Sequence, residues 1–149
     1  MKNSASLSRM LMSIAFLCFG ILRLGEVFAQ SRNFRNISVD KGLSQSTGFT
    51  IVQDTLGFIW IGTQDGLNRY NGRDFKVYSP IKGDQTCLQS YYIRSLYLDT
   101  KGELWVGGNQ GISRYDGKKD NFVNYKLPKS LGEWYISSIT EDAKKNIWA

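Results

Sequence analysis

The sequence predicts an all-β fold made of repeated four-stranded antiparallel units, the blades of a β-propeller. Two observations lead to this prediction. Fifteen glycines against two prolines, with 13% aromatic residues, are typical of short aromatic-rich strands joined by tight turns. A motif around a tryptophan also recurs after about 45 residues, a period that suits one propeller blade. Sustained 3.6-residue periodicity is absent from the sequence, which excludes a helical solenoid of similar period.

The repeat is defined by an aspartate, a turn glycine, a tryptophan and a second glycine, in that order. These residues are Asp54, Gly57, Trp60 and Gly62 in the first copy, Asp99, Gly102, Trp105 and Gly107 in the second, and Asp142 and Trp148 in the third. The third copy departs from the pattern, because Lys145 stands where the first two have the turn glycine. In the second copy Gly108 replaces the threonine found as Thr63 in the first.

Each whole copy is predicted to form four strands. The Asp-x-x-Gly segment is the predicted turn between the first two, with the carboxylate capping turn amides and the glycine at positive φ. The predicted strands are residues 49–53, 58–61, 67–70 and 75–78 in the first copy, 93–98, 103–106, 112–115 and 122–125 in the second, and 136–140 in the third. Before its fourth strand the second copy carries a two-residue insertion relative to the first.

The repeats divide the chain into segments. Residues 30–48 are predicted to be a lead-in strand or closure segment, followed by a blade at 49–78, a blade at 93–125 and a partial blade at 136–149. Closed propellers have at least about four blades. We therefore expect the natural chain to continue beyond residue 149, with its remaining blades as partners of these.

Residues 1–29 are predicted to be a signal peptide. Lys2 and Arg9 give a positive start, and the uncharged run that follows is shorter than the roughly 20 residues of a membrane span. Cleavage is predicted between Ala29 and Gln30. A retained N-terminal anchor is the competing interpretation. The repeats are therefore expected to be exported.

The residue types argue against catalysis. The chain has no histidine, which excludes an imidazole-based triad or a histidine-ligated metal site. Asp54, Asp99 and Asp142 lie at the same turn of successive blades, which separates them rather than pairing them for acid–base work. Arg69 and Arg114 recur beside tyrosines and are predicted to form hydrogen bonds between blades rather than to bind an anion. We expect no cofactor, and no nucleic-acid contact, since the net charge of +6 is scattered along the chain.

Aromatic residues outside the repeat register are candidates for ligand contact. Trp134 and Tyr135 precede the first strand of the third copy, and Tyr91 and Tyr92 lie in the matching loop before the second. Aromatic side chains on loops can stack on sugar rings, although they also anchor loops. The predicted ligand is a carbohydrate or another small molecule.

The motif resembles the two-component regulator propeller repeat. Its pattern is Asp-x-x-Gly-x-[Ile/Leu]-Trp-[Ile/Val]-Gly, then Gly-[Leu/Ile]-x-Arg-Tyr-[Asn/Asp]-Gly, and residues 34–46 are similar to the opening of such sensors. The resemblance implies the periplasmic N-terminal sensor region of a hybrid two-component histidine kinase of the Bacteroidetes type. It also implies an oligosaccharide ligand, a membrane helix and a cytoplasmic kinase elsewhere in the protein, and a homodimer at full length.

Two other classes of protein remain open. One is an exported propeller that binds or scaffolds without signalling output. The other is a propeller enzyme, such as a sialidase-like hydrolase or a quinone-dependent dehydrogenase, although the spacing from Asp54 through Gly57 to Trp60 differs from the repeats of those enzymes. The sequence beyond residue 149 would distinguish these classes from a sensor.

Overall fold

The computed structural model describes residues 34–126 and 135–149, so the predicted signal peptide and its cleavage site lie outside the described residues. Two four-stranded antiparallel sheets and one two-stranded hairpin make up the described fold. Blade one comprises β1 (Gly48–Gln53), β2 (Ile59–Thr63), β3 (Gly66–Tyr70) and β4 (Phe75–Tyr78). Blade two comprises β5 (Ile93–Leu98), β6 (Leu104–Gly108), β7 (Gly111–Asp116) and β8 (Asn121–Lys126), and the hairpin comprises β9 (Thr140–Glu141) and β10 (Ile147–Trp148).

Both sheets are meanders in which each strand pairs with the next one along the chain. Their registers agree: Trp60 lies opposite Arg69 in blade one, and Trp105 lies opposite Arg114 in blade two. The repeated residues therefore take the same place in each sheet. The predicted all-β fold of propeller blades is confirmed.

The turn between the first two strands explains the spacing of the motif. The Oδ1 atom of Asp54 accepts hydrogen bonds from the backbone N–H groups of Leu56 (2.9 Å) and Phe58 (3.0 Å). The Oδ2 atom accepts a third, from the indole N–H of Trp60, at 2.7 Å. One carboxylate thus caps the turn and also fixes the orientation of the tryptophan, and the spacing of the motif alone does not predict this second bond.

The other two copies repeat this construction. Asp99 and Asp142 each accept an indole hydrogen bond at 2.9 Å, from Trp105 and Trp148 respectively. The turn glycines Gly57 and Gly102 have φ values of +89° and +79°, and Lys145 has φ +69°. Because this left-handed region strongly favours glycine, the third turn keeps the shape of the other two with a less suitable residue.

The glycine that follows the tryptophan is required by the next repeat. A Cβ atom added to Gly62 would lie 2.7 Å from Cγ2 of Ile93 and 3.0 Å from its carbonyl oxygen. A Cβ atom on Gly107 would lie 2.6 Å from Cγ2 of Ile136. Neither position can hold a side chain without displacing a neighbour, so each repeat packs directly against the backbone of the one before it.

The third copy forms less sheet than predicted. Of the predicted strand at 136–140 only Thr140 pairs, as part of the two-residue strand β9. The reason lies in Ile136, whose N–H donates to the carbonyl of Gly108 and whose carbonyl accepts from the hydroxyl of Ser95, both at 3.0 Å. The start of this segment is therefore bonded to blade two instead of to a strand of its own.

The described part of the lead-in, residues 34–47, contains a 3-10 turn at Val39–Lys41 and no strand. Side chains attach it to blade one: the Ser44 N–H donates to Oδ1 of Asn68 at 2.8 Å, and its hydroxyl lies 2.9 Å from that of Thr63. Both partners are fully buried. Across the described residues, no helix has the length and apolar character needed to cross a membrane.

Blade one has a threonine, Thr63, where blade two has a glycine, Gly108, and this difference has a steric cause. A Cβ atom on Gly108 would lie 2.5 Å from Cβ of Ser90, so blade two has no room for a threonine there. In blade one the hydroxyl of Thr63 accepts the N–H of Asp65 at 3.0 Å. In blade two the hydroxyl of Ser90 accepts the N–H of Asn109 at 3.2 Å. A serine from the preceding segment thus supplies the hydroxyl near this turn.

The core lies where blade two covers blade one. Trp60 is fully buried and meets Tyr115 of blade two edge-on, with ring centroids 4.8 Å apart. Trp105 is partly buried and packs on Tyr125 of its own blade at 5.7 Å. Trp148 is 60% exposed. Of the three repeated tryptophans, the described residues place Trp60 alone fully between two blades.

Candidate functional site

Four side chains from three successive repeats meet at one end of the first strands. Phe49 and Arg94 are the second residues of β1 and β5, and Tyr92 and Tyr135 lie in the segments that lead into the second and third repeats. We refer to these four residues as the aromatic–arginine cluster.

Arg94 is the centre of the cluster. Its guanidinium carbon lies 4.7 Å from the ring centroid of Tyr135, 5.4 Å from that of Tyr92 and 5.7 Å from that of Phe49. The rings of Phe49 and Tyr92 are 5.0 Å apart and tilted by 33°. All three distances from the cation fall within the range of about 6 Å in which a cation is attracted to an aromatic face.

The repeat itself places the two tyrosines. Tyr92 precedes Ile93, and Tyr135 precedes Ile136, the two isoleucines that pack against the glycine backbone of the preceding blade. Successive residues of an extended chain point in opposite directions, so a buried isoleucine turns the residue before it outward. The two tyrosines therefore emerge at equivalent positions of neighbouring repeats.

The cluster is accessible from solvent. Tyr135 is 55% exposed and Phe49 is 37% exposed, while Tyr92 and Arg94 are partly buried. The surface combines flat apolar rings, two phenolic hydroxyls and one cation. Such a surface can stack on the apolar face of a ring-shaped ligand and donate hydrogen bonds to its polar groups.

The structure divides the predicted ligand residues. Tyr92 and Tyr135 belong to the cluster, but the Tyr91 hydroxyl donates to the carbonyl of Pro80 at 3.4 Å, and the Tyr91 ring is not one of those around Arg94. Trp134 lies outside the described residues.

Sequence reasoning missed Phe49 and Arg94 because both fall inside predicted strands. Phe49 and Arg94 lie at the same distance in sequence before the motif aspartate of their own repeats, and Ser137 lies at that position in the third copy. Phenylalanine, arginine and serine share no structural preference. Positions that disagree among otherwise similar copies are free to serve recognition, and that disagreement was the available signal.

A second polar group, the interblade clamp, lies between the two sheets. The Oδ1 atom of Asp120 accepts hydrogen bonds from the hydroxyls of Tyr78 and Tyr115, both at 2.6 Å, and Lys76 bonds the other oxygen. Arg69 donates to the Tyr115 hydroxyl at 2.6 Å. Blade one contributes Arg69, Lys76 and Tyr78. Blade two contributes Tyr115 and Asp120. Arg69 thus forms the bond between blades that its repetition predicted.

The ionisation of the clamp indicates a structural role. Partial burial acts to raise the pKa of Asp120, but hydrogen bonds from Lys76, Tyr115 and Tyr78 outweigh it and hold that pKa far below its ordinary value. Burial, followed by the hydrogen bond to Asp120, raises the pKa of both tyrosines. At neutral pH the carboxylate stays charged and the phenols stay protonated. A group that exchanges no proton near neutral pH is unsuited to acid–base catalysis.

The repeated aspartates are likewise committed to structure. The indole hydrogen bond from Trp148, with those from Asn146, lowers the pKa of Asp142 to about 2. Within residues 34–126 and 135–149 no group of three acidic, cysteine or histidine side chains is placed to hold a metal ion. The aromatic–arginine cluster is therefore the strongest candidate for ligand contact in the described part of the chain.

Comparison with known proteins identifies the repeat. Residues 87–110 match the family model of the two component regulator propeller. A stretch of 62 residues is 42% identical to Histidine kinase P4 of Formosa agariphila, covering 40% of this chain and 4% of that protein. The predicted resemblance to the two-component regulator propeller repeat is confirmed.

Solved structures agree on the fold. The chain is similar to the extracellular domain of a putative hybrid two component system from B. thetaiotaomicron, with a TM-score of 0.64 and 20% identity over 76% of this chain. It is also similar to that of a putative one component system from the same organism, with a TM-score of 0.66 and 21% identity over 79% of this chain. The chain spans only 17% and 16% of those two structures.

Proposed function

We propose that this chain, whose repeats are those of a two-component regulator propeller, is the extracytoplasmic ligand-sensing part of a membrane-bound hybrid histidine kinase. The proposal includes export by residues 1–29 and an oligosaccharide ligand. Support comes from the family match at residues 87–110 and from the identity with a histidine kinase over 62 residues. The kinase output would lie in other parts of the protein, since this chain spans 4% of that relative.

The observation that carries the ligand part of the proposal is the aromatic–arginine cluster. A sugar ring has an apolar face of C–H groups and a polar edge of hydroxyls. Tyr135 and Phe49 offer exposed rings to the former, and the hydroxyls of Tyr92 and Tyr135 with the guanidinium of Arg94 can bond the latter. Three repeats contribute to the cluster, so a bound ligand would couple the relative positions of neighbouring blades.

The test is a titration of the full-length protein with oligosaccharides, reading both binding and autophosphorylation. Tyr92→Ala and Tyr135→Ala are each expected to weaken binding about tenfold or more, because stacking area and one hydroxyl are lost. Trp134→Ala is expected to weaken the response as well. Tyr91→Ala is the matched control, since Tyr91 is 52% exposed and its ring is not one of those around Arg94.

The outcomes separate the parts of the proposal. Unchanged binding in Tyr92→Ala and Tyr135→Ala would reject the cluster as the ligand site. Binding without any change in phosphorylation would reject the sensor and favour an exported binding protein. Turnover of the oligosaccharide would instead favour a propeller enzyme.

A further inference from the structure

Three arginines lie on the strands of the two blades, and one of them differs from the others. Arg69 is bonded to Tyr115 and lies 3.5 Å from the carboxylate of Asp120. Arg114 is paired with the carboxylate of Glu103. The guanidinium of Arg94 forms neither a hydrogen bond nor an ion pair with any residue in the described ranges 34–126 and 135–149, and its recorded contacts are with aromatic rings. Among the three strand arginines, Arg94 alone therefore has no acidic partner within those described residues.

The surroundings of Arg94 hold its position and leave its N–H groups unused. Three aromatic rings lie within 6 Å of the guanidinium, at 4.7, 5.4 and 5.7 Å. Attraction to aromatic faces stabilises the cation but offers no oxygen acceptor to the five N–H donors. A planar guanidinium held in this way is pre-organised for a planar or tetrahedral anion that accepts two parallel hydrogen bonds.

The repeat gives no structural reason for an arginine at this position. Phe49 and Ser137 occupy the equivalent positions of the first and third copies. The blade fold therefore forms with an aromatic, a cationic or a small polar residue there. By contrast Arg69 and Arg114 recur at one position, as residues with a structural role do.

We propose that Arg94 recognises a carboxylate or sulfate group, and that the ligand of the aromatic–arginine cluster is an acidic oligosaccharide. This inference rests on the proposed function, which it deepens by naming the class of ligand. The sugar ring lies against Tyr92 and Tyr135, and its anionic substituent accepts hydrogen bonds from the edge of the Arg94 guanidinium. The cation–aromatic contacts keep the guanidinium plane fixed while the anion binds.

The test compares acidic oligosaccharides with neutral forms of the same molecules by calorimetric titration of the full-length protein. Hexamers of galacturonate and of mannuronate–guluronate are used before and after reduction of their carboxylates to alcohols. A sulfated galactan hexamer is used before and after desulfation. At least one acidic hexamer is expected to bind about tenfold or more tightly than its neutral form, because a charged hydrogen-bonded pair is lost. The carboxylate and sulfate series show which anion is recognised.

Three variants assign the preference to Arg94. Arg94→Gln is expected to lower the affinity for the acidic hexamer to that for the neutral one. Arg94→Lys is expected to keep part of the preference, since it keeps the charge and loses the bidentate fork. Arg73→Gln removes an exposed arginine from the turn of blade one and is expected to change neither affinity.

Each result decides a different point. Equal affinity for acidic and neutral hexamers, or a preference that survives in Arg94→Gln, would overturn the anion inference and leave the proposed function standing. Failure of every hexamer, acidic and neutral, to bind would reject the oligosaccharide ligand of the proposed function and the anion inference with it. A preference lost in Arg94→Gln and kept in Arg73→Gln supports the inference.

Discussion

Blade one and blade two carry the same motif in different surroundings. In both, an aspartate caps the turn and accepts the indole N–H of a tryptophan, at 2.7 Å for Trp60 and 2.9 Å for Trp105. Yet Trp60 is fully buried beneath Tyr115 of the next blade, while Trp105 is partly buried and packs on Tyr125 of its own blade. The motif sets the local hydrogen bonds, and the neighbouring repeat sets how much burial the tryptophan gains.

The recurring arginines show the same division. Arg69 donates across the interface to Tyr115 of blade two. Arg114, at the equivalent position, is paired with Glu103 within its own blade. One residue type at one repeat position thus makes a contact between blades in one copy and a contact within a blade in the other. What a repeated residue contributes depends on the repeat that follows it.

The largest effect is expected from truncating the two tryptophans. Trp60→Ala should lower the free energy of unfolding by about 3–5 kcal/mol, because it removes a fully buried ring and leaves Asp54 without its indole donor. Within this 149-residue chain, Trp105→Ala removes the same motif bond but less buried area, so its loss should be clearly smaller. Urea unfolding of the purified chain measures both losses of stability, as the shift in the urea midpoint at constant slope.

Trp105 serves here as the matched control for Trp60. Equal losses in the two variants would contradict the view that coverage by the next blade makes the difference. A small loss in Trp60→Ala would contradict the burial of that ring between the blades.

The interblade clamp depends on a further difference between the blades, which is the two-residue insertion before the fourth strand of blade two. Asp120 lies in that longer hairpin with φ +53° and reaches Lys76 and Tyr78 of blade one. Asp120→Asn should lower the free energy of unfolding by about 1–2 kcal/mol at neutral pH, since the charged partner of two hydroxyls and one lysine is lost. The partial exposure of the carboxylate keeps this value modest, because solvent screens the ion pairs.

The clamp also predicts a dependence on pH. The folded-state pKa of Asp120 lies below its unfolded value of about 4, so its contribution is complete above that pH and is lost as the pH falls through the acid range. Urea midpoints at pH 7 and pH 3 should therefore differ less in Asp120→Asn than in the unsubstituted protein. Asp116→Asn is the control, because Asp116 caps its own turn and does not reach blade one. The same pH dependence in Asp120→Asn and the unsubstituted protein would refute this role.

Much of the fold could be predicted from the sequence, because short local motifs determine it and those motifs recur in each repeat. The turn aspartates and the glycines at positive φ act within a few residues of themselves, and their period sets the blade. The short third hairpin was not predictable in the same way. Residues 136–139 read as a strand, but Ile136 is bonded to Gly108 and Ser95 of the preceding blade, a contact that only the folded chain defines.

The candidate site was half predictable for a related reason. Tyr92 and Tyr135 stand out as aromatics in loops, whereas Phe49 and Arg94 look like ordinary strand residues. The distances that join them arise from the stacking of three repeats, and sequence spacing alone does not carry that information. Of the clamp, the contact of Arg69 between blades was predicted, but the role of Asp120 was missed, although the two-residue insertion before Asn121 marks where blade two departs from blade one.

The smallest effect concerns the third turn, where the comparison between copies extends to a substituted glycine. Lys145 adopts φ +69°, in the region that Gly57 and Gly102 occupy without strain. Lys145→Gly should therefore stabilise this turn by about 0.5–1 kcal/mol, with the gain from relieved strain reduced by the greater freedom of glycine in the unfolded chain.

The matched control is Lys145→Ala, since both variants remove the 4.0 Å contact between the lysine ammonium and Glu141 but only one restores glycine. The measurement is hydrogen exchange of the Trp148 indole N–H, which donates to Asp142 when the turn is formed. Exchange should be slower in Lys145→Gly than in Lys145→Ala. Equal rates would mean that the left-handed backbone at this position carries no strain, and that the copies differ in their tryptophan coverage and not in their turns.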